Sequence, residues 1–271
     1  MIQLSQIWIY PIKSLGGISL QESKVTDRGL ELDRRWLLVD GNSRFLSQRE
    51  YPKLALFQPE IAGDFLQVID REQGDSIAFL HHPIALENKT EVTVWDDSIV
   101  AFEVSSSISS WFTQKLGFPT RLVYMPHESR RLVAPEYAVA PSAINSFSDG
   151  YPFLLIGQSA LDDLNARLAN PVPMNRFRPN FVMTNTVAFE EESWREFRIG
   201  SVDFVGVKPC ERCIMTTVDQ EKGTLSGKDP LKTLATYRKF ENKVLFGQNA
   251  IGLGLGTVVV GDVCTVFGQR E

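Results

Sequence analysis

The sequence predicts a mainly β protein with peripheral helices, and three observations carry that expectation. Over the first ~120 residues, short apolar or alternating runs follow one another at close spacing. Clusters tolerant of tight turns separate them at Gly16-Gly17, Asp40-Gly41-Asn42, Gly63-Asp64, Gln73-Gly74-Asp75 and Asp96-Asp97. Helical spacing of apolar residues is confined to a few short segments. With 271 residues, 43% of them hydrophobic, the chain can bury a sizeable core, and its length suits two domains.

In chain order, the strand-like runs of the first half are Leu4 to Ile12, Ile18 to Thr26, Arg35 to Val39, Leu54 to Ile61, Phe65 to Ile69, Ile77 to Leu80, Glu91 to Val94 and Ile99 to Val104. Their density implies a small barrel or sandwich. A helix over Ser105 to Leu116 caps it, with Ile108, Trp111, Phe112 and Leu116 at helical spacing and Gly117 and Pro119 as the stop. In the second half, Phe153 to Ile156 reads as a strand. Gly157 to Leu168 reads as a helix with Leu161, Leu164 and Leu168 on one face and Ser159 near its N-cap. Phe181 to Thr184, Val202 to Val207 and Ile214 to Val218 follow as β-like segments, then a helix over Asp229 to Lys239 and a closing β-like run from Gly256 to Phe267. There is no internal repeat and no low-complexity tract.

A formal net charge of −5 and a pI near 5.4 argue against nucleic acid or an anionic membrane as partner, although a local basic pocket is compatible with both. No run approaches ~20 apolar residues, and Met1-Ile2-Gln3-Leu4 enters a strand pattern with no leader-like basic and apolar regions. The expectation is a soluble, cytoplasmic protein. Three cysteines suit a reducing compartment better than a disulfide framework.

Chemistry concentrates in Lys208-Pro209-Cys210-Glu211-Arg212-Cys213, which holds two of the three cysteines. A cation beside a thiol favours the thiolate, the form that attacks electrophiles and binds soft metals, so Cys213 is the first candidate. A buried inert thiol and a thioredoxin-like redox pair remain open. Structural zinc is the weakest alternative, because Cys264, His81, His82 and His127 lack finger spacing. The flanking segments place the pair at a turn between strands. Three basic turns are the other candidates: Tyr10-Pro11-Ile12-Lys13-Ser14, Leu32-Asp33-Arg34-Arg35-Trp36 and Asn175-Arg176-Phe177-Arg178-Pro179-Asn180. They supply arginine forks, a lysine point charge and a hydroxyl, the parts of a phosphate site, while solvated surface arginines are the bland reading. Gly252-x-Gly254-x-Gly256 lacks the strand-turn-helix context of a dinucleotide loop.

Tyr-Pro-Ile-Lys-Ser, Asp-Arg-Arg-Trp, Asn-Arg-Phe-Arg-Pro-Asn, Cys-Glu-Arg-Cys-Ile-Met-Thr-Thr-Val-Asp and Leu-Phe-Gly-Gln occur in that order along the chain. Together they resemble the MOSC superfamily with its N-terminal β-barrel partner domain, and within it the amidoxime-reducing components and the bacterial reductases of N-hydroxylated bases. The resemblance implies an N-terminal β-barrel over 1–122, a MOSC β-barrel over 123–271 and a cofactor cleft between them. It implies a molybdenum cofactor, molybdopterin with Mo, whose protein ligand and catalytic residue is Cys213. Lys13, Ser14 and Arg34 match positions that hold the cofactor's phosphate and pterin. Arg178 and Asn180 match pocket residues, and Arg176 and Asn249 join the cofactor-binding set. Pyridoxal phosphate binding is a further family-level association.

The implied activity is reduction of small N-hydroxylated or N-oxide substrates. With no iron–sulfur cluster motif in this chain, electrons are expected from a separate flavin or iron–sulfur protein. A sulfur carrier using a Cys213 persulfide and a molybdenum-cofactor carrier are the alternatives. Four positions depart from the amidoxime-reducing pattern: Glu211 replaces a small hydroxyl residue, Gly150-Tyr151 replaces two hydroxyl residues, and Asn249 replaces a tyrosine. A carboxylate at 211 is expected to repel an anionic cofactor unless it faces away.

Overall fold

The computed structural model describes residues 1–83, 88–140 and 142–270. Seven strands close into a barrel in the order Phe153–Gly157, Phe181–Thr184, Ile2–Ile9, Val263–Gln269, Trp194–Ile199, Val202–Glu211 and Lys243–Gly252, with the last pairing back onto the first. Neighbours are antiparallel except Phe153–Gly157 with Phe181–Thr184. A parallel pair needs a long crossover, and here it contains the helix Gln158–Asn165.

The first strand shows how sequence and register cooperate. Its inward positions change parity, from Leu4 to Ile7 and Ile9, all fully buried. The pairing with Phe181–Thr184 slips between Leu4 and Gln6. Such a bulge lets an imperfect alternation bury every apolar residue. The strand stops at Ile9, short of the expected Ile12, because Pro11 has no amide to donate and the Tyr10 amide turns to Asp33 Oδ1 at 2.7 Å.

A second unit contains a four-stranded sheet, in the order Trp36–Asp40, Thr120–Tyr124, Asp97–Glu103 and Lys89–Val94, and a meander of Phe57–Ala62, Phe65–Asp70 and Ser76–Leu80. Trp36, Leu38, Leu54, Phe57, Leu66, Val68 and Leu122 form its core with Ile108 and Phe112 of the helix Ser106–Leu116. That helix begins where Ser105 Oγ accepts from the Ile108 amide at 3.2 Å, and it ends at Gly117, whose φ of 78° is the left-handed C-terminal signal.

Strand pairing crosses the expected boundary near residue 122. Ile2–Ile9 lies inside the seven-stranded barrel, and Glu22–Thr26 pairs with Gly256–Val259. Leu4, Ile7, Ile9, Val25 and Leu30 accordingly share one core with Phe153, Phe181, Trp194, Phe197 and Phe204. The chain therefore starts in the large barrel, leaves it to build the smaller unit, and returns.

Several expected elements are shorter or divided. Ile18 to Thr26 is two strands, Ile18–Leu20 and Glu22–Thr26, with different partners. Leu54 to Ile61 is divided as well: its first residues belong to the 3₁₀ helix Pro52–Leu56, and the rest to the strand Phe57–Ala62. The final run is Gly256–Val259 and Val263–Gln269, separated by Gly261 at φ 101°. The two later helices are Gln158–Asn165, capped by Gly157 instead of Ser159, and Leu231–Tyr237. Ser159 Oγ is engaged with Thr186 Oγ1 at 2.7 Å. Ile214–Thr217 is a 3₁₀ helix, not a β segment. There the Thr216 and Thr217 hydroxyls donate to the Cys213 and Ile214 carbonyls at 3.0 and 2.8 Å, a local closure that competes with an extended ladder. Among the described residues no helix is long and apolar enough to cross a membrane.

Candidate functional site

The strand Val202–Glu211 delivers the cysteine pair. Its buried positions alternate at Val202, Phe204 and Gly206, and Gly206 is obligatory because a Cβ there would collide with the Trp194 carbonyl oxygen. Beyond it, pairing with Lys243–Gly252 shifts register twice, between Gly206 and Lys208 and between Pro209 and Glu211. Bulges re-aim side chains, and here Lys208, Cys210, Glu211, Arg212 and Cys213 all come to line one cleft of about 1070 Å³.

Lys13, Ser14, Arg34, Arg176, Arg178, Asn180 and Asn249 line the same cleft, so every candidate residue converges there from positions up to 236 apart in sequence. Ser14, Arg34 and Arg178 hold φ values of 70°, 52° and 55°. Non-glycine residues in this region carry a conformational cost that surrounding contacts must over-determine. At Arg34 and Arg178 those contacts are visible. Both guanidinium groups sit over the Tyr10 ring, 4.7 and 4.1 Å from its centroid. Arg34 also pairs with fully buried Asp33, and Arg178 donates to the Leu15 carbonyl at 2.6 Å.

Asn180 ties this network together. Its amide donates to the Trp8 carbonyl and Asp33 Oδ2, both at 3.1 Å. Its oxygen accepts from the Leu154 amide at 3.1 Å and Arg34 Nη1 at 3.2 Å. That uses both donors and both lone pairs, so Asn180 positions Arg34 and has little capacity left for a ligand. Arg176 is likewise engaged, with Ser226 Oγ at 2.8 Å and Asp219 at 3.3 Å, although its Nε is buried without a partner. The Asn249 amide is half-buried and makes no hydrogen bond among the described residues.

Sequence reasoning missed Asp149, Arg49 and Trp95, which also line the cleft. Lys13 Nζ donates to Asp149 Oδ1 and the Phe147 carbonyl, both at 2.7 Å. Arg49 stacks on the Trp95 ring at 4.2 Å, and Trp95 Nε1 reaches Asp149 at 3.3 Å. These residues come from separate loops with no shared motif. Burial pulls the Lys13 ammonium down to about 8 even though Asp149 opposes the shift. Desolvation by the cleft wall works to raise the Asp149 carboxyl, but its side chain is largely exposed and Lys13, with Arg34 and Arg49 behind it, holds it well below the usual range.

One pH dependence follows. In the cofactor-free protein, Lys13 is charged in the folded state below about 8 and neutral above it, whereas in the unfolded chain it stays charged to about 10.5. Folding therefore releases a proton between those values, and the burial cost of Lys13 is relieved as pH rises through that window. Anion binding runs the opposite way, because it uses the ammonium. Inorganic phosphate affinity measured by calorimetry should fall as pH rises through about 8, and Lys13→Met should remove that dependence. An unchanged profile in Lys13→Met would show that Lys13 does not face the anion.

At the cysteines the structure corrects one expectation and relieves another. Arg212 Nη1 reaches Cys210 Sγ at 3.0 Å and its Nη2 reaches the Phe177 carbonyl at 2.7 Å, so the guanidinium supports Cys210 and not its neighbour Cys213. Residues two apart on extended backbone share a face, which places Arg212 with Cys210. Cys213 is exposed to the cleft, and Cys264 is the inert thiol, buried and pushed up to about 12. Glu211 forms ion pairs with Lys243 at 2.8 Å and Lys208 at 3.2 Å. The Lys243 hydrogen bond, helped by Lys208, holds its carboxyl below its ordinary value. Two cations thus compensate the carboxylate that was expected to repel an anion.

Among the described residues, no three His, Cys, Asp or Glu side chains converge as metal ligands. Of the two thiols lining the cleft, Cys213 is the more accessible, and it stands in the same cleft as the cationic groups of Lys13, Arg34 and Arg178. That donor set fits an anionic cofactor carrying its own sulfur ligands.

Residues 1–119 match the MOSC N-terminal beta barrel domain and residues 143–265 match the MOSC domain. The chain is 32% identical over 287 residues to human mitochondrial amidoxime-reducing component 1, covering 98% of this chain and 83% of that protein. It is 32% identical over 277 residues to bovine mitochondrial amidoxime reducing component 2, covering 96% and 81%. It is also 31% identical over 288 residues to rice molybdenum cofactor sulfurase, covering 99% of this chain but 34% of that protein. These relatives fit a role connected with the molybdenum cofactor.

Proposed function

This chain belongs to the MOSC family, and from that premise we propose that it is a molybdenum-cofactor oxidoreductase that reduces N-hydroxylated or N-oxide compounds with electrons from a separate flavin or iron–sulfur protein. The observation that carries this reading is the convergence of Cys213 with Lys13, Arg34 and Arg178 on one cleft. When bound, the cofactor supplies two-electron chemistry coupled to removal of the substrate oxygen.

The residues of the chain do the rest. Cys213 offers an accessible sulfur to the cleft. Lys13, Arg34 and Arg178 offer cationic donors to a phosphate and the pterin, and Ser14 offers a hydroxyl. Asp33 and Asn180 hold Arg34 in a fixed pose, and Asp149 anchors Lys13. Such prior ordering reduces the entropy lost on binding. Tyr151, Lys208 and Glu211 line the same cleft and give it a mixed aromatic and charged wall for a small polar substrate.

The test is reduction of benzamidoxime or 6-N-hydroxylaminopurine by protein whose molybdenum and pterin content has been measured. Cofactor-loaded protein with a strong chemical reductant should turn over at least one of them, and cofactor-free protein should turn over neither. The alternative that Cys213 carries sulfur would prevail if loaded protein reduces neither compound while the metal-free form gains one sulfur on Cys213 from a cysteine desulfurase and transfers it.

A further inference from the structure

A second cavity of about 240 Å³ shares Arg178 alone with the described lining of the cofactor cleft. Its walls come from both units: Tyr10 and Asn175 from the barrel side, Gln58 and Arg71 from the smaller unit, with Gly16 and Gly17 between. The Tyr10 side chain is 1% exposed, yet its hydroxyl has no hydrogen-bond partner, and neither does the buried Asn175 Oδ1. Leaving such groups unmet costs on the order of 1–3 kcal/mol each, and native proteins normally satisfy them.

The double glycine makes room for this space. A Cβ on Gly17 would lie 2.5 Å from the Tyr10 ring, and one on Gly16 would lie 2.5 Å from Gln58 Oε1. The pair is required here by close approach, not simply by a turn.

The available donors favour an anion. Burial raises the Tyr10 phenol to about 12, so its hydroxyl stays protonated and can donate. Arg178 gives one N–H to the Leu15 carbonyl and has no other hydrogen bond among the described residues. Arg71 is fastened to the Ala55 and Gln220 carbonyls through Nη2, which leaves its Nη1 available. Turning the Asn175 amide by half a rotation would add its N–H donors. Glu221 is the single carboxylate in the lining and is exposed.

We propose that this cavity binds a small oxyanion, a carboxylate or tetrahedral anion, at a site separate from the cofactor cleft. At ~30 Å³ per water-sized group, the space admits about eight such groups. Arg178 is shared, so the anion would touch a residue that also lines the cofactor cleft.

Tyr10→Phe is a clean probe because the hydroxyl makes no hydrogen bond that the fold would lose, and the ring that both arginines contact is kept. Selenate can be located by its anomalous scattering in crystals of the full chain and titrated by calorimetry in solution. Wild-type protein should show a selenium peak in this cavity, placed so that a selenate oxygen lies within hydrogen-bond distance of Tyr10 Oη and accepts from it. Tyr10→Phe should lose that peak and weaken the corresponding binding step about tenfold, while keeping any peak in the cleft as evidence of an intact fold. Three results would overturn the proposal: ordered water alone at Tyr10 Oη, equal selenate affinity in both proteins, or a crystal peak with no binding in solution, which would mark an adventitious ion only.

Discussion

Replacing Cys213 with alanine is expected to eliminate molybdenum retention and lower N-reductase activity by more than about a hundredfold, since loss of even a supporting partner of a metal ligand typically costs 10–100-fold. The fold should survive. Cys213 is exposed and its thiol makes no hydrogen bond among the described residues, so the change in stability should stay within about 0.5 kcal/mol. Cys210→Ala removes a sulfur held by Arg212, whose second nitrogen stays on the Phe177 carbonyl. Its activity should fall less than about tenfold, the lower edge of the range for residues that support a ligand. Metal analysis and turnover of both variants, purified from a cofactor-competent host, decide the matter. Full metal content in Cys213→Ala with loss in Cys210→Ala would reverse the assignment.

Asp33→Ala should produce the largest loss of stability, about 3–5 kcal/mol, because it strands a nearly buried guanidinium without its counter-charge. Asp33 is completely buried and accepts from the Tyr10 amide and Asn180 as well as from Arg34. Asp33 also outweighs the burial that would otherwise lower the Arg34 guanidinium, holding it charged. Urea unfolding of the cofactor-free protein measures the effect, with Asp33→Asn as a milder control that keeps shape and removes charge. A loss below about 1 kcal/mol, the scale of an exposed ion pair, would mean that Asp33 is not the anchor of the cleft. The same variants should bind phosphate more weakly, because Arg34 loses the contacts that maintain its left-handed backbone at φ 52°.

Much of the cleft is legible in the sequence. Lys13, Arg34, Arg178 and Cys213 were marked by residue chemistry and by motif order, and all four line one cleft. What escaped was partnership. Asp149, Arg49 and Trp95 sit in loops whose sequences carry no signal for one another. The Arg212 contact escaped for another reason: the cysteine pair reads as a turn between strands, and only the extended backbone seen in the structure puts Arg212 on the side of Cys210. Nor could the motif alone separate Asn180, whose amide is fully occupied by protein, from a residue free to meet a ligand.

By itself, the sequence determined the β character, because alternation and turn residues act locally. It also determined the helix between Ser105 and Gly117, because both of its end signals are local backbone and side-chain effects. Only the tertiary structure decided that Ile2–Ile9 belongs to the barrel of the distant C-terminal strands. Alternation fixes which face of a strand is apolar but not which edge it pairs with, and that choice depended on a bulge and on a core shared with Phe181 and Phe204. The same return of the chain brings Lys13 and Arg34 to Arg178 and Cys213. Chemistry named these residues, and long-range strand pairing put them around one cleft.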